Sequence, residues 1–182
     1  TNLSDIAAMG CKPQYIFMAI TIPDLNSSWI KSFYKGISEL TNEYNVALIG
    51  GDTNKGPLSI SIQVIGTTKY NILYRSGAKL NDDIYVTGEL GSARAALMIK
   101  NNKSYSKEFK HLKKYLHTPQ PRIKLGMDLS RFATSCIDIS DGIAKDIKNI
   151  TDQSKCGANI FVEKIPFEKR LKKILTEEDF YE

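Results

Sequence analysis

The strongest constraint on the fold of this chain is an amphipathic stretch set between two strand-like runs. In "DLNSSWIKSFYKGISELTNEYN" the apolar residues Ile30, Phe33, Ile37, Leu40 and Tyr44 recur at alternating steps of three and four. That spacing places them on one face of a helix. Asn26, Ser27 and Ser28 each offer a side-chain oxygen to cap its start. Before it, "QYIFMAITIP" (residues 14–23) is β-branched and aromatic and closes on a proline, the pattern of a buried strand. After it, "VALIGG" reads as a short strand ending in a glycine pair. "SISIQVIG" then alternates strictly and puts Ile60, Ile62 and Val64 on one side of a third strand.

The second half repeats these themes less regularly. "NILY" leads into "RSGAKLNDD", a polar, glycine-containing linker or domain edge. "IYVTGELGSARAALMIKN" reads as strand, glycine-rich turn and helix, and "SKEFKHLKKYL" and "RIKLGMDLSRF" read as two further helices. "SCIDISDGIAKDIKNIT" is a strand ending in acidic residues, followed by a helix with Ile143, Ile147 and Ile150 on its inner face. "ANIFVEKIP" closes as another strand. The composite is an α/β chain with mixed strand pairing, in two units joined near residues 76–82. At 182 residues and 42% hydrophobic it is long enough to bury a core.

Charge and cysteine usage narrow the setting. The net charge of +5 is mild, with lysines dense at residues 107–114 and 164–173, and no nucleic-acid-binding motif accompanies it. Cys11, Cys136 and Cys156 form no CxxC or Cys/His pattern, which points to free thiols in a reducing cytoplasm. No run of 18 or more apolar residues and no signal peptide is present. From its start at Thr1 and its end at "TEEDFYE", which reads as a helix in mid-course, the chain is expected to be a piece of a longer one.

Four aspartates stand at junctions of ordered elements with glycine or small-residue turns. Asp52, in "IGGDTNKGP", has two readings. It folds back on its own backbone in a turn, or Gly50 and Gly51 let the backbone approach an anion while Asp52 reaches a divalent cation. Asp5, in "NLSDIAAMG", caps a helix beginning at Ile6, as Ser4 also could, or faces a ligand, with Ala7, Ala8 and Gly10 allowing close packing or close approach. In "CIDISDG", one cap explains Ser140 or Asp141 but leaves Asp138, on the same strand face as Ser140, to be paired or to ligate a metal. None of the four has an evident Lys or Arg partner nearby in sequence. Carboxylates converging on one cleft repel unless cations lie between them, and hard oxygen ligands suit Mg²⁺. "GELGSARAA" resembles a phosphate-binding turn but lacks the full GxGxxG spacing. Arg75 is a lone arginine before a small-residue turn, and His111 and His117 join no nucleophile motif.

"NLSDIAAMG", "LIGGDTNKGPLS", "YRSGAK", "DIYVTGELGSA" and "IDISDGIAKDI" occur in the order and approximate spacing of thiamine-monophosphate kinases. The chain resembles that family and, more loosely, the wider superfamily of aminoimidazole ribonucleotide synthetase. The resemblance implies a two-domain synthetase-like fold, α/β to α+β and incomplete in this chain. Residues 1–77 would be part of an N-terminal ATP- and metal-binding domain whose sheet pairs across a homodimer, and residues 78–182 part of a C-terminal α+β domain. It implies Mg²⁺ and ATP, and transfer of a phosphoryl group to thiamine monophosphate in the cytoplasm, with no nucleic acid or membrane as partner. Asp5, Asp52, Asp138 and Asp141 would be metal ligands. Tyr34, Gly51, Asp52, Arg75 and Ser140 would contact nucleotide. No residue is implied as acid, base or nucleophile. The alternatives are a relative with another acceptor, or a non-catalytic nucleotide-binding or dimerisation module. The acceptor motif would lie outside this chain, and its role is not transferred to Glu182.

Overall fold

The computed structural model describes residues 1–174, so the expected helix in "TEEDFYE" lies outside the described residues. Helix α1 (Asn2–Ala8) leads into strand β1 (Lys12–Ile22), helix α2 (Ser27–Tyr44) and strands β2 (Ala47–Lys55) and β3 (Ser59–Thr67). Four helices follow: α3 (Ser92–Ile99), α4 (Ser106–His117), α5 (Ile123–Leu129) and α6 (Ile143–Ser154).

The sheet has the order β2-β1-β3, with β2 parallel and β3 antiparallel to β1. Helix α2 supplies the crossover that a parallel pair requires. Of its three candidate caps, Asn26 serves: its Oδ1 accepts from the N–H groups of Ser28 and Trp29, both at 3.1 Å. Along β1, Ile16, Met18, Ile20 and Ile22 are buried, alternating with more exposed residues. Ile62 and Val64 stand opposite Met18 and Ile16, and Ile60 opposite Ile20, so the expected shared side of β3 is the core side. Leu3, Ala7, Ile16, Val46 and Ile123 form the centre of this core, with Ile37, Tyr44, Ile62, Val64 and Met127 around it.

Two compact units are present. The first comprises Thr1–Lys79 with Pro121–Cys156, and the second Leu80–Gln120 with the chain from Gly157. The chain thus leaves the first unit close to the expected edge and later returns to it. Within the first unit, Cys136 donates its N–H to the carbonyl of Tyr74, and Ser154 Oγ accepts from the N–H of Ala78. "RSGA" is therefore docked chain rather than free linker. The second unit gathers Ala95, Ala96, Ile99, Leu112 and Leu171 into its own core.

Three expected strands are absent from any ladder among the described residues. "IYVTG" contributes none, the neighbouring Leu90 makes a single bridge to Phe167, "CIDIS" is loop, and "ANIFVEKIP" contains one 3-10 turn at Val162–Lys164. Alternation assigns faces, but a strand also needs a partner for its N–H and C=O groups. The opposite correction applies to "VALIGG". β2 does not stop at the glycines but runs four residues further, because β1 pairs with it as far as Ile22 and Lys55. No helix among the described residues is long and apolar enough to cross a membrane.

Candidate nucleotide and metal site

The predicted site residues all belong to the first unit. Asp5 sits inside α1, which begins at Asn2 rather than Ile6. The carbonyl of Thr1 accepts from the N–H groups of Ser4 and Asp5, so neither residue caps the helix, and the Asp5 side chain is free to face elsewhere. The small residues of α1 serve packing. A Cβ on Gly126 of α5 would lie 1.9 Å from the carbonyl oxygen of Ala7, and one on Gly10 would lie 2.6 Å from Ser130 Cβ.

Asp138, half-buried in the loop before α6, comes against Asp5. Burial and then the Asp5 carboxylate push its carboxyl above the ordinary carboxylate range, with Asp146 adding to the effect and a backbone hydrogen bond opposing it. The two residues are distant in sequence and on different elements, and nothing in either local motif predicts that they meet.

Asp141 is paired, contrary to the expectation that none of the four has a cationic neighbour. Lys145, one helical turn on, reaches its Oδ2 at 2.6 Å. Spacing of i to i+4 across a helix start is the signal that was available. Ser140 is exposed, and its N–H and that of Asp141 donate to Asp146 Oδ2 at 2.9 and 3.2 Å. Asp146 is the fully buried residue of α6, at 3% exposure, whereas the expected inner-face residues Ile143, Ile147 and Ile150 are half-buried. Sequence reasoning missed Asp146, since a lysine-flanked aspartate in a helix reads as a solvated surface residue.

Asp52 lies on β2, opposite Ala19 of β1. Its Oδ1 accepts from the N–H of Thr53 at 2.8 Å and its Oδ2 from Asn54 Nδ2 at 2.9 Å. The folded-back geometry expected of a turn thus occurs within a strand. Gly51 beside it has φ +149°, and a Cβ there would lie 1.9 Å from Met18 O. Only glycine allows that approach of β2 to β1. Arg75 has an exposed side chain, while its carbonyl accepts from Ser154 Oγ at 3.3 Å. Tyr34 stands on the exposed side of α2, edge-on to Phe33. Among the described residues no three of His, Cys, Asp and Glu are grouped closely enough to hold a metal by themselves. The structure brings together Asp5 and Asp138, with Asp146 close by, and leaves Asp52, Arg75 and Tyr34 each in its own local setting.

Two facing carboxyl groups suit a hard divalent cation. Mg²⁺ keeps several waters and takes only one or two protein carboxylates alongside phosphate oxygens, so the Asp5–Asp138 pair fits it.

The family match and the solved-structure neighbours give this mixed α/β chain an AIR-synthase-like fold. Residues 1–68 match the AIR synthase related protein, N-terminal domain, family. Over 93% of its length the chain is similar to the thiamine-monophosphate kinase of Buchnera aphidicola subsp. Acyrthosiphon pisum, with 44% identity over 175 residues. The chain spans about half the length of the curated relatives it matches, 54% in that case. Among solved structures, the thiamine-monophosphate kinase of Stenotrophomonas maltophilia superposes with a TM-score of 0.90 at 35% identity, over 98% of this chain and 59% of that one. AaThiL complexed with AMPPCP and TMP superposes with a TM-score of 0.88 at 29% identity, over 95% of this chain and 57% of that one.

Proposed function

We propose that the whole protein transfers the γ-phosphoryl group of ATP to thiamine monophosphate, giving thiamine diphosphate. The observation that carries this reading is the meeting of Asp5 and Asp138 in a chain whose relatives are named thiamine-monophosphate kinases. AaThiL, bound to an ATP analogue and TMP, supports the same pair of substrates. Asp5 and Asp138 would hold Mg²⁺, with Asp52 and Asp141 as further ligands. When bound, Mg²⁺ supplies neutralisation of the phosphate charge. Gly51, Arg75, Ser140 and Tyr34 would contact nucleotide, Arg75 through the forked geometry that suits phosphate oxygens. The acceptor phosphate is already largely ionised near neutral pH, so no dedicated base is required of these residues.

We also assign a homodimer. Tyr15, Phe17 and Ile65 share the face of the sheet away from the core and are 42%, 38% and 41% exposed, an apolar surface that a second copy would cover. Cytoplasmic residence is supported by three free cysteines.

The test compares the whole protein with its Asp138→Asn and Asp52→Asn variants, supplied with ATP, Mg²⁺ and thiamine monophosphate, following thiamine diphosphate by chromatography. Product in the parent and near-loss in both folded variants is expected. Binding of Mg²⁺–ATP without product would move the reading to a different acceptor, and absence of ATP binding would sink the phosphotransferase reading.

A further inference from the structure

Asp146 satisfies backbone groups that lie outside its own helix. A carboxylate at 3% exposure needs partners, because desolvation of an unpaired charge is costly. Its Oδ2 takes two consecutive N–H groups, those of Ser140 and Asp141. The arrangement resembles a capping box, in which a first-turn acid reaches back to the residue before the helix. Here it reaches further, to residues preceding the Gly142 cap. Gly142 has φ +111° and ψ +150°, and a Cβ there would meet nothing within 4 Å. Glycine is required for the backbone path rather than for space. Asp141 is therefore held twice, by Asp146 at its N–H and by Lys145 at its carboxylate. Asp138 lies only two residues before the first of these anchored amides.

We propose that Asp146 is a positioning residue of the candidate site, its carboxylate holding the Ser140–Asp141 turn so that Asp138 and Asp141 present their side chains to Mg²⁺–nucleotide. This rests on the nucleotide and metal reading above. In this role Asp146 acts through the two amides. The proximity of Asp146 to Asp138 that raises the Asp138 pKa agrees with a turn folded tightly around it.

The test uses the whole protein and its Asp146→Ala and Asp146→Asn variants, with two measurements on each. Hydrogen–deuterium exchange reads the Ser140 and Asp141 amides, and calorimetric titration of ATP binding reads the Mg²⁺ requirement. Removing an outer-shell partner of this kind typically weakens metal binding about 10- to 100-fold. Asp146→Ala is expected to speed exchange at those two amides and raise the Mg²⁺ requirement within that range. Asp146→Asn keeps an acceptor oxygen and is expected to stay within about threefold of the parent in both. If Asp146→Ala does not fold, the asparagine variant decides. A raised Mg²⁺ requirement in Asp146→Asn with both amides still protected would make Asp146 a charge-supplying ligand and overturn the proposal. Unchanged exchange in a folded Asp146→Ala would overturn it too, while leaving the nucleotide reading intact. A parent protein that binds no Mg²⁺–ATP would instead sink the nucleotide reading, and with it the purpose assigned to the turn.

Discussion

Asp5 of α1 and Asp138 of the loop before α6 hold their carboxyl groups against each other. The Asp138 carboxyl is raised above its ordinary value of 3.8, by burial first and by Asp5 second. A raised native pKa means that the folded chain binds this proton more tightly than the unfolded chain, so its effect on stability becomes less favourable as pH rises through that window. Burial and the repulsion from Asp5 both disfavour the charged form of Asp138. Asp138→Asn is therefore expected to raise the metal-free melting temperature slightly, by about 2–4 °C at most. The same variant should lose the stabilisation that Mg²⁺ confers on the parent at pH 7. Thermal unfolding at pH 4 and 7, with and without Mg²⁺, checks both; a variant that melts below the metal-free parent would count against the repulsion.

Lys145 forms an ion pair with Asp141 across the start of α6. Both side chains are more than half exposed, so removing the lysine should leave the melting temperature close to that of the parent. Lys145→Met is expected to lower the Mg²⁺ concentration needed for half-saturation, since it removes a competing cation from a carboxylate. A higher requirement would show that Lys145 assists the site instead.

Gly51 and Gly50 are adjacent but unequal. A methyl group at Gly51 would collide with the backbone of Met18, whereas one at Gly50 would meet the Phe17 ring at 3.2 Å. Gly51→Ala is expected to destabilise by about 2–4 kcal/mol through backbone displacement and strain, and Gly50→Ala by about 1 kcal/mol or less. Urea unfolding of the two variants should separate them clearly.

Asn26 caps α2 through two backbone N–H groups. Asn26→Ala is expected to cost about 1 kcal/mol, visible as a lowered urea midpoint with an unchanged slope. Asn26→Asp, which keeps the acceptor, should recover most of it.

Cys11 is 3% exposed, and burial pushes its thiol above the ordinary value. Alkylation of the native protein is expected to reach the partly exposed Cys156 first and Cys11 last, with rapid modification of Cys11 only on unfolding. Mass spectrometry over a time course reads the order directly.

Local spacing was enough to establish α2, the shared side of Ile60, Ile62 and Val64 on β3, and the helices α3 to α6. Periods of 3.6 and 2 are properties of neighbouring residues and survive any tertiary arrangement. The candidate site was legible as a set of residue types at turns, because glycine freedom and carboxylate chemistry are also local. Tertiary structure decided the rest. It carried β2 through Gly50, Gly51 and Asp52 because β1 was there to pair with it, and left "CIDIS" as loop where no ladder formed. It buried Asp146 rather than the isoleucines of α6, and it brought Asp5 to Asp138 from distant parts of the chain. Strand pairing, burial of a charge and the meeting of two carboxyl groups each depend on a partner far away in sequence, and spacing within one segment carries no information about that partner.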